Sequence, residues 1–286
     1  MTTSKSSNWD LTITSHRGWF ELNFGELWQY RDLLWIYFRR NIIAEYKQTI
    51  LGPLWIFIPP IITTLLFTIV FGKIAQLPTD GLPGPLFYMS GLVIWNYFSS
   101  SFSGTSNSLS GNSGLFGKVY FPRIIIPIAT LLSGLIRFFI HFILFLCVLI
   151  YYSFNSNVEL FPNFYLGFFF PILILIMGIQ GLGFGLLFSA ITTKYRDLRY
   201  ILGYCMRLLM YASPIIFPLS IVPDKYRLVI LINPITSVIE IFRYISLGTG
   251  QINYYGLFYS ISFTIIIFIS GLIIFNRVEK NFIDTA

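Results

Sequence analysis

Twelve carboxylates occur in this chain, from Asp10 to Asp284, and none lies inside a long apolar run. A carrier that couples its solute to protons or sodium needs titratable groups along the pathway, usually Asp or Glu. The distribution argues against that chemistry. Residues Gly111–Lys118 superficially look like a phosphate-binding loop. That motif needs four residues between its glycines, Ser or Thr after the Lys, and a preceding strand. Here five residues separate Gly111 from Gly117, Val119 follows Lys118, and no strand pattern comes before. ATP is not bound by that route. There is no HExxH, no paired-Cys metal motif and no Asp-x-Asp pair, so no cofactor or metal is expected in this chain. An enzyme with its active site in the membrane is disfavoured.

The remaining candidates are cationic or aromatic. Arg137 and His141 stand four apart on one helical face in the middle of an apolar run. An intramembrane Arg is costly and faces a bundle interior or an aqueous path. With no acid in the runs, its partner is a carbonyl, a neighbouring chain or an anionic substrate; structural hydrogen bonding between helices is the favoured role. Arg207, seven residues into its run, is expected to snorkel toward the cytosol. Trp55, Phe57, Phe67, Phe71, Tyr204 and Tyr211 line two of the runs. Such rings stack on sugar faces or serve as lipid-facing bulk. Gly178, Gly181, Gly183 and Gly185 offer a small-residue face for close packing.

The elements that must position these residues follow from composition. The 286 residues are 55% hydrophobic and only 11% charged, whereas a soluble domain carries about 25% charged residues. A water-soluble surface cannot be covered with so few charges, so the chain reads as an integral membrane protein. Its net charge of +7 is then topological rather than a sign of nucleic-acid binding. Cys147 and Cys205 sit in apolar runs, which excludes a disulfide framework. Residues 1–30 lack an apolar core, so no cleavable signal peptide is expected.

A crossing helix needs roughly 20 mostly apolar residues. Leu54–Ile74, Leu86–Thr105, Ile124–Tyr152, Tyr165–Thr192 and Tyr255–Asn276 meet that length, and Tyr200–Pro218 is a shorter sixth. Between the last two in chain order, residues 219–254 hold two short apolar pieces divided by Asn233-Pro234. A residue before proline is pushed out of helical geometry, so two short helices that dip in and return fit better than a seventh span. Thirteen Lys and Arg fall on the side of both termini and four on the other, which places both termini in the cytoplasm. Leu27, Tyr30, Leu34, Phe38 and Ile42 share one face of a 26–50 helix, with Gln29, Asp32, Arg40 and Lys47 opposite. That pattern predicts an amphipathic helix in the membrane interface. No internal repeat supports a carrier built from inverted halves.

Three segments together resemble a known family. Glu45–Trp55 (EYKQTILGPLW) leads into the first span, Gly114–Arg123 (GLFGKVYFPR) precedes the third with Pro127 after it, and Tyr195-Arg196-Asp197 opens the fifth. Ser213-Pro214, Val222-Pro223, Asn233-Pro234 and Arg243 follow in order. The set is similar to the membrane (permease) subunit of ABC-type polysaccharide exporters, the O-antigen, capsule and teichoic acid permeases, over residues 26 to 276. The resemblance implies an all-α polytopic protein of the bacterial inner membrane: a cytoplasmic tail over 1–25, an interface helix over 26–53, six spans over 54–276 and a tail over 277–286. It also implies a homodimer with two copies of a cytoplasmic ABC ATPase, which would bind the ATP and Mg.

In that frame the 106–123 loop docks into the ATPase through Leu115, Lys118, Tyr120 and Phe121, with Pro122 and Arg123 ending it at the membrane. Gly117 stands where a second Lys is common. Tyr46 borders a cytoplasmic gate, and Arg39, Arg40 and Lys47 help recruit the diphosphate of a polyprenyl-linked polysaccharide. The 219–247 stretch, with Asn233, Pro234, Glu240 and Arg243, forms a periplasmic re-entrant gate. The aromatics named above line the path. The rival cargo is a small lipid or drug; the rival class is a membrane-embedded glycosyl- or acyltransferase.

Overall fold

The computed structural model describes residues 24–47, 49–112, 114, 121–155, 164–195, 197–250 and 252–285. Leu115, Lys118 and Tyr120 lie outside the described residues, as does the side chain of Tyr46. Every regular element among the described residues is helical. α1 (Phe24–Gln29) and α2 (Arg31–Tyr46) come first. A 3-10 turn (Gly52–Ile56) leads into α3 (Ile58–Phe67), which continues as a π-helical stretch to Ile74. α4 (Gly84–Ser106) and the single turn α5 (Ser108–Gly111) follow. Then come α6 (Ile125–Asn155), α7 (Phe170–Lys194) and α8 (Leu198–Tyr211). The chain closes with α9 (Asp224–Ile232), α10 (Pro234–Leu247) and α11 (Tyr254–Thr285). Prolines open α3, α4, α7 and α10 within their first two positions, where a missing N–H leaves no internal bond unmade.

α7 is central. It packs along both α4 and α11, α4 also packs on α6, and α2 lies along α6. Glycines permit this closeness: a Cβ at Gly181 would lie 2.8 Å from the Phe98 carbonyl of α4, and one at Gly183 would lie 2.9 Å from the Phe268 backbone of α11. The glycine run thus serves two neighbours on two faces. α2 buries Tyr37, while Leu27, Tyr30, Leu34 and Phe38 of the expected apolar face are partly buried against the same cluster.

Among the described residues, four helical stretches are long and apolar enough to cross a membrane: Leu54–Ile74, Ile125–Asn155, Gly167–Thr193 and Tyr254–Val278. The bent α9–α10 pair would make a fifth if counted as one span. That is fewer than the six expected from sequence. α4 has the length, with 23 residues, but its second half is rich in Ser. Most of it is buried against other helices, and a helix shielded from lipid has no need of an apolar surface. α8 is the other shortfall. It holds 14 residues, or about 21 Å at 1.5 Å per residue, against a hydrocarbon core of roughly 30 Å.

α9 and α10 meet at 100°. Asn233 makes the corner: its Oδ1 accepts the Ile235 N–H at 3.1 Å and its Nδ2 donates to Ser213 Oγ at 2.8 Å. Capping by Asn satisfies a helix donor that would otherwise be unpaired. The Ser260 hydroxyl donates to the Pro234 carbonyl at 2.6 Å and the Tyr259 hydroxyl to Ile232 O at 2.8 Å, tying the corner to α11. Gly248 ends α10 in the left-handed region at φ 75°, the conformation that makes glycine the usual residue after a helix.

Candidate functional site

The α10 helix carries the most buried ionic group among the described residues. Arg243 is 1% exposed and Glu240 5%. They stand one helical turn apart, with Arg243 Nη1 2.9 Å from Glu240 Oε1. The other guanidinium nitrogens leave the helix: Nη2 donates to the Pro214 carbonyl at 2.8 Å and Nε to Ser90 Oγ at 3.3 Å. The Phe87 ring lies under the guanidinium at 3.9 Å. One side chain therefore fastens α10 to α4 and to the turn after α8. Each of its three nitrogens donates to a partner, as a buried charge requires. A cavity of about 390 Å³ opens beside Glu240, between the α9–α10 corner and the start of α11, with Ser237, Arg227 and Asn253 on its walls.

The two intramembrane polar residues of α6 are both half-buried. The His141 Nε2 lies 3.2 Å from the Ile56 carbonyl, and since a carbonyl only accepts, the ring nitrogen is the donor. This bond ties α6 to the 3-10 turn that starts the first span. His141→Phe keeps the ring and removes the donor. It is expected to cost about 1 kcal/mol, read as a fall in the Tm of detergent-solubilised protein; an unchanged Tm would show that the bond contributes nothing.

The expected aromatic lining divides. Tyr204 is 66% exposed, and with Tyr200, Leu208 and Tyr211 it forms an uncovered stripe along α8. Trp55 is also exposed, and Phe57 is half-buried. Phe67 is in the core instead: its ring stands edge-on to Phe71 at 5.2 Å and to Tyr88 at 6.1 Å. Phe71 packs against that same cluster. On α3 and the π-helical stretch after it the outward positions are aliphatic, Ile61, Ile62, Leu65, Leu66 and Ile69.

At the basic end, Arg39 and Lys47 are exposed. Arg40 is held: its guanidinium covers the Tyr37 ring at 4.4 Å, and Nη2 lies 3.5 Å from Asn112 Oδ1. The expected docking residue Phe121 is buried in this chain, as are Pro122 and Arg123, expected to end the loop at the membrane. The Phe121 ring tilts against Tyr37 at 6.0 Å and belongs to the cluster beneath α2. Within this chain the Phe121 ring therefore faces inward rather than presenting an outward contact. An apolar ring beside the apolar face of α2 gains more from burial there than from water. The described ends of the loop, at Asn112 and Phe121, are both held by α2.

Long apolar helices, a central helix with glycine contacts on two sides, and a bent helix pair fixed by a buried ion pair define a multi-pass helical membrane protein. The chain belongs to the ABC-2 type transporter family, whose profile matches residues 32–247. It is similar to the O-antigen export system permease protein RfbA of Myxococcus xanthus, with 29% identity over 221 residues covering 76% of this chain and 81% of that one. A second protein of that name, from Klebsiella pneumoniae, is 27% identical over 88% of this chain and 94% of its own length. The polysialic acid transport protein KpsM of Escherichia coli is 27% identical over 85% of this chain and 92% of its own.

Sequence reasoning named Glu240 and Arg243 but not their bond. Acid and base three apart in an otherwise apolar run was the available signal.

Proposed function

We propose that this chain is the membrane-spanning, non-enzymatic subunit of an exporter that moves a polyprenyl-diphosphate-linked polysaccharide across the cytoplasmic membrane. It works as a homodimer driven by two copies of a separate ATPase, which binds the ATP and Mg. The observation that carries the reading is the uncovered aromatic stripe Tyr200, Tyr204 and Tyr211 on α8. Each of the three rings is more than half exposed among the described residues, and tyrosines join a flat apolar face to a hydroxyl, which suits a sliding sugar chain. Relatives named as O-antigen and polysialic acid transport proteins over most of their length support a glycan cargo.

Six crossings follow in this reading. α4 crosses within a sheath of neighbours, α8 with the 212–218 stretch makes the short fifth crossing, and α9–α10 dips in and returns as a gate on the outer side. The bias of Lys and Arg then sets both termini in the cytoplasm.

The test is export in cells and in proteoliposomes. Without the chain, glycan should accumulate on its lipid carrier inside the cell. Tyr204→Ala/Tyr211→Ala should cut export several-fold at normal protein level. Proteoliposomes with the chain alone should neither hydrolyse ATP nor move glycan, and adding the ATPase should start both. Hydrolysis by the chain alone, or glycan export undisturbed by its loss, would overturn the proposal.

A further inference from the structure

The cavity beside Glu240, about 390 Å³, is within the roughly 300–1,000 Å³ of small-molecule pockets. Two of its helices set its depth in the membrane. α9 opens with Asp224, Lys225 and Arg227 and then exposes Leu228, Val229 and Ile232, so the boundary between water and hydrocarbon passes through it just after Arg227. α11 starts the apolar stretch Tyr254–Val278, and its first two residues, Tyr254 and Tyr255, are exposed and line the cavity. Exposed tyrosines at the end of a crossing helix mark the headgroup layer. The cavity therefore lies where lipid headgroups lie.

Its walls carry both signs of charge. Arg227 supplies a guanidinium and Glu240 a carboxylate. Arg243 holds Glu240 Oε1 at 2.9 Å, yet it does not balance the charge on that side. Asp80 acts on both Glu240 and Arg243. It is tied to the same short turn, since the Ser220 hydroxyl donates to Asp80 Oδ1 at 2.6 Å and the neighbouring Leu219 N–H donates to Glu240. Two carboxylates against one guanidinium leave a surplus of negative charge beside the cavity. A Cβ at Gly250 would lie 3.2 Å from Glu240 Oε2, so glycine leaves that oxygen uncrowded. On the α9 side, Arg227 stands 4.0 Å from Asp224 in a solvent-exposed pair, which contributes little. A guanidinium has five donors, so it can take a phosphoryl group while Asp224 stays in reach. Ser237 also lines the cavity, and its buried hydroxyl has no hydrogen-bond partner, a costly arrangement that a ligand would relieve.

We infer that this cavity holds the headgroup of a phospholipid bearing a primary amine, phosphatidylethanolamine being the simplest. The ammonium has three donors for the carboxylate side, and the phosphodiester gives Arg227 a charge-assisted partner. Leu219, Leu231 and Ile252 on the walls suit the carbons between the two charges. A choline head carries its charge behind methyl groups that cannot donate to Glu240. A glycerol head brings no cation to meet the negative surplus. Such a site selects on the amine, bridges α9 to α10, and is independent of the cargo that the chain moves.

The experiment measures lipid binding to the full chain in detergent by native mass spectrometry, with phosphatidylethanolamine, phosphatidylcholine and phosphatidylglycerol of identical acyl chains. The amine lipid should bind about tenfold more tightly than either of the others, since each of them lacks the charged hydrogen bond to Glu240. Glu240→Gln should bring the amine lipid down to the level of the choline lipid. Arg227→Gln should weaken the amine lipid about tenfold. Its side chain is partly exposed, so this variant decides the matter where Glu240→Gln yields no folded protein. Lys73→Gln, which removes an exposed charge elsewhere, should leave the order of the three lipids unchanged. Equal binding of the amine and choline lipids would overturn the inference, as would an Arg227→Gln chain that binds the amine lipid like the parent. Displacement of the lipid by an equal concentration of soluble phosphoethanolamine would overturn its assignment to a lipid. Displacement by maltotriose would give the cavity to a glycan instead.

Discussion

Arg243→Ala is expected to abolish accumulation of folded protein. The substitution strands the Glu240 carboxylate at 5% exposure without its cation, and it leaves the Pro214 carbonyl and Ser90 hydroxyl without the guanidinium. Removing one member of a buried ion pair costs about 3–5 kcal/mol, a large share of the 5–15 kcal/mol that holds a typical protein folded. Arg243→Lys should rescue little, because an ammonium cannot reach three partners in three directions as the planar guanidinium does. The double variant Glu240→Gln/Arg243→Met should recover much of the loss, since replacing both charges with neutral groups removes the uncompensated ion. The check is the yield of monodisperse protein after detergent extraction, and its Tm, across the three variants. If Arg243→Ala matches the parent in both, the α10 anchor does not hold this end of the bundle.

The same residues show what a sequence can and cannot disclose. The corner between α9 and α10 was legible because its cause is local: Asn caps, Pro withholds its N–H, and the residue before Pro leaves helical geometry. The inward face of α2 was legible for a similar reason, as apolar residues three and four apart must share a side. Burial of α4 was not legible. Its Ser-rich half is tolerated only because α6 and α7 cover it, and that cover comes from segments far along the chain. Phe67 misled for the same reason. An aromatic ring in an apolar run fits lipid, a pathway wall or a core equally well, and only tertiary partners choose, here Tyr88. Phe121, placed in a docking loop by resemblance, finds its partner in Tyr37 of α2. α8 was half legible. Its exposed tyrosines were named, whereas the cleft between it and α4, lined by Arg199 and Arg207, emerges only when α4 is seen to stand opposite.

Glycine contacts give the second large effect, and they bear on how the bundle is assembled. In a membrane no hydrophobic drive brings helices together, so association depends on close packing and interhelical polar contacts. α7 and α11 meet where Gly183 faces Gly271: a Cβ added at Gly271 would lie 2.5 Å from the Gly183 carbonyl oxygen and 3.3 Å from Leu186 Cβ. The first obstacle is backbone, which cannot rotate aside as a side chain can. Gly271→Ala should therefore destabilise even though alanine favours the helix by about 1 kcal/mol, with a net loss of about 1–3 kcal/mol from overpacking. Gly271→Val must push the helices apart along their length and should leave little extractable protein. Gly167→Ala, with nothing within 4 Å of the added carbon, should change stability by less than about 0.5 kcal/mol. The measurement is Tm and extraction yield for the three variants side by side. A Gly271→Val protein as abundant and as heat-resistant as the parent would mean that α7 and α11 do not touch backbone to backbone in the membrane, and the central position of α7 would fall with that contact.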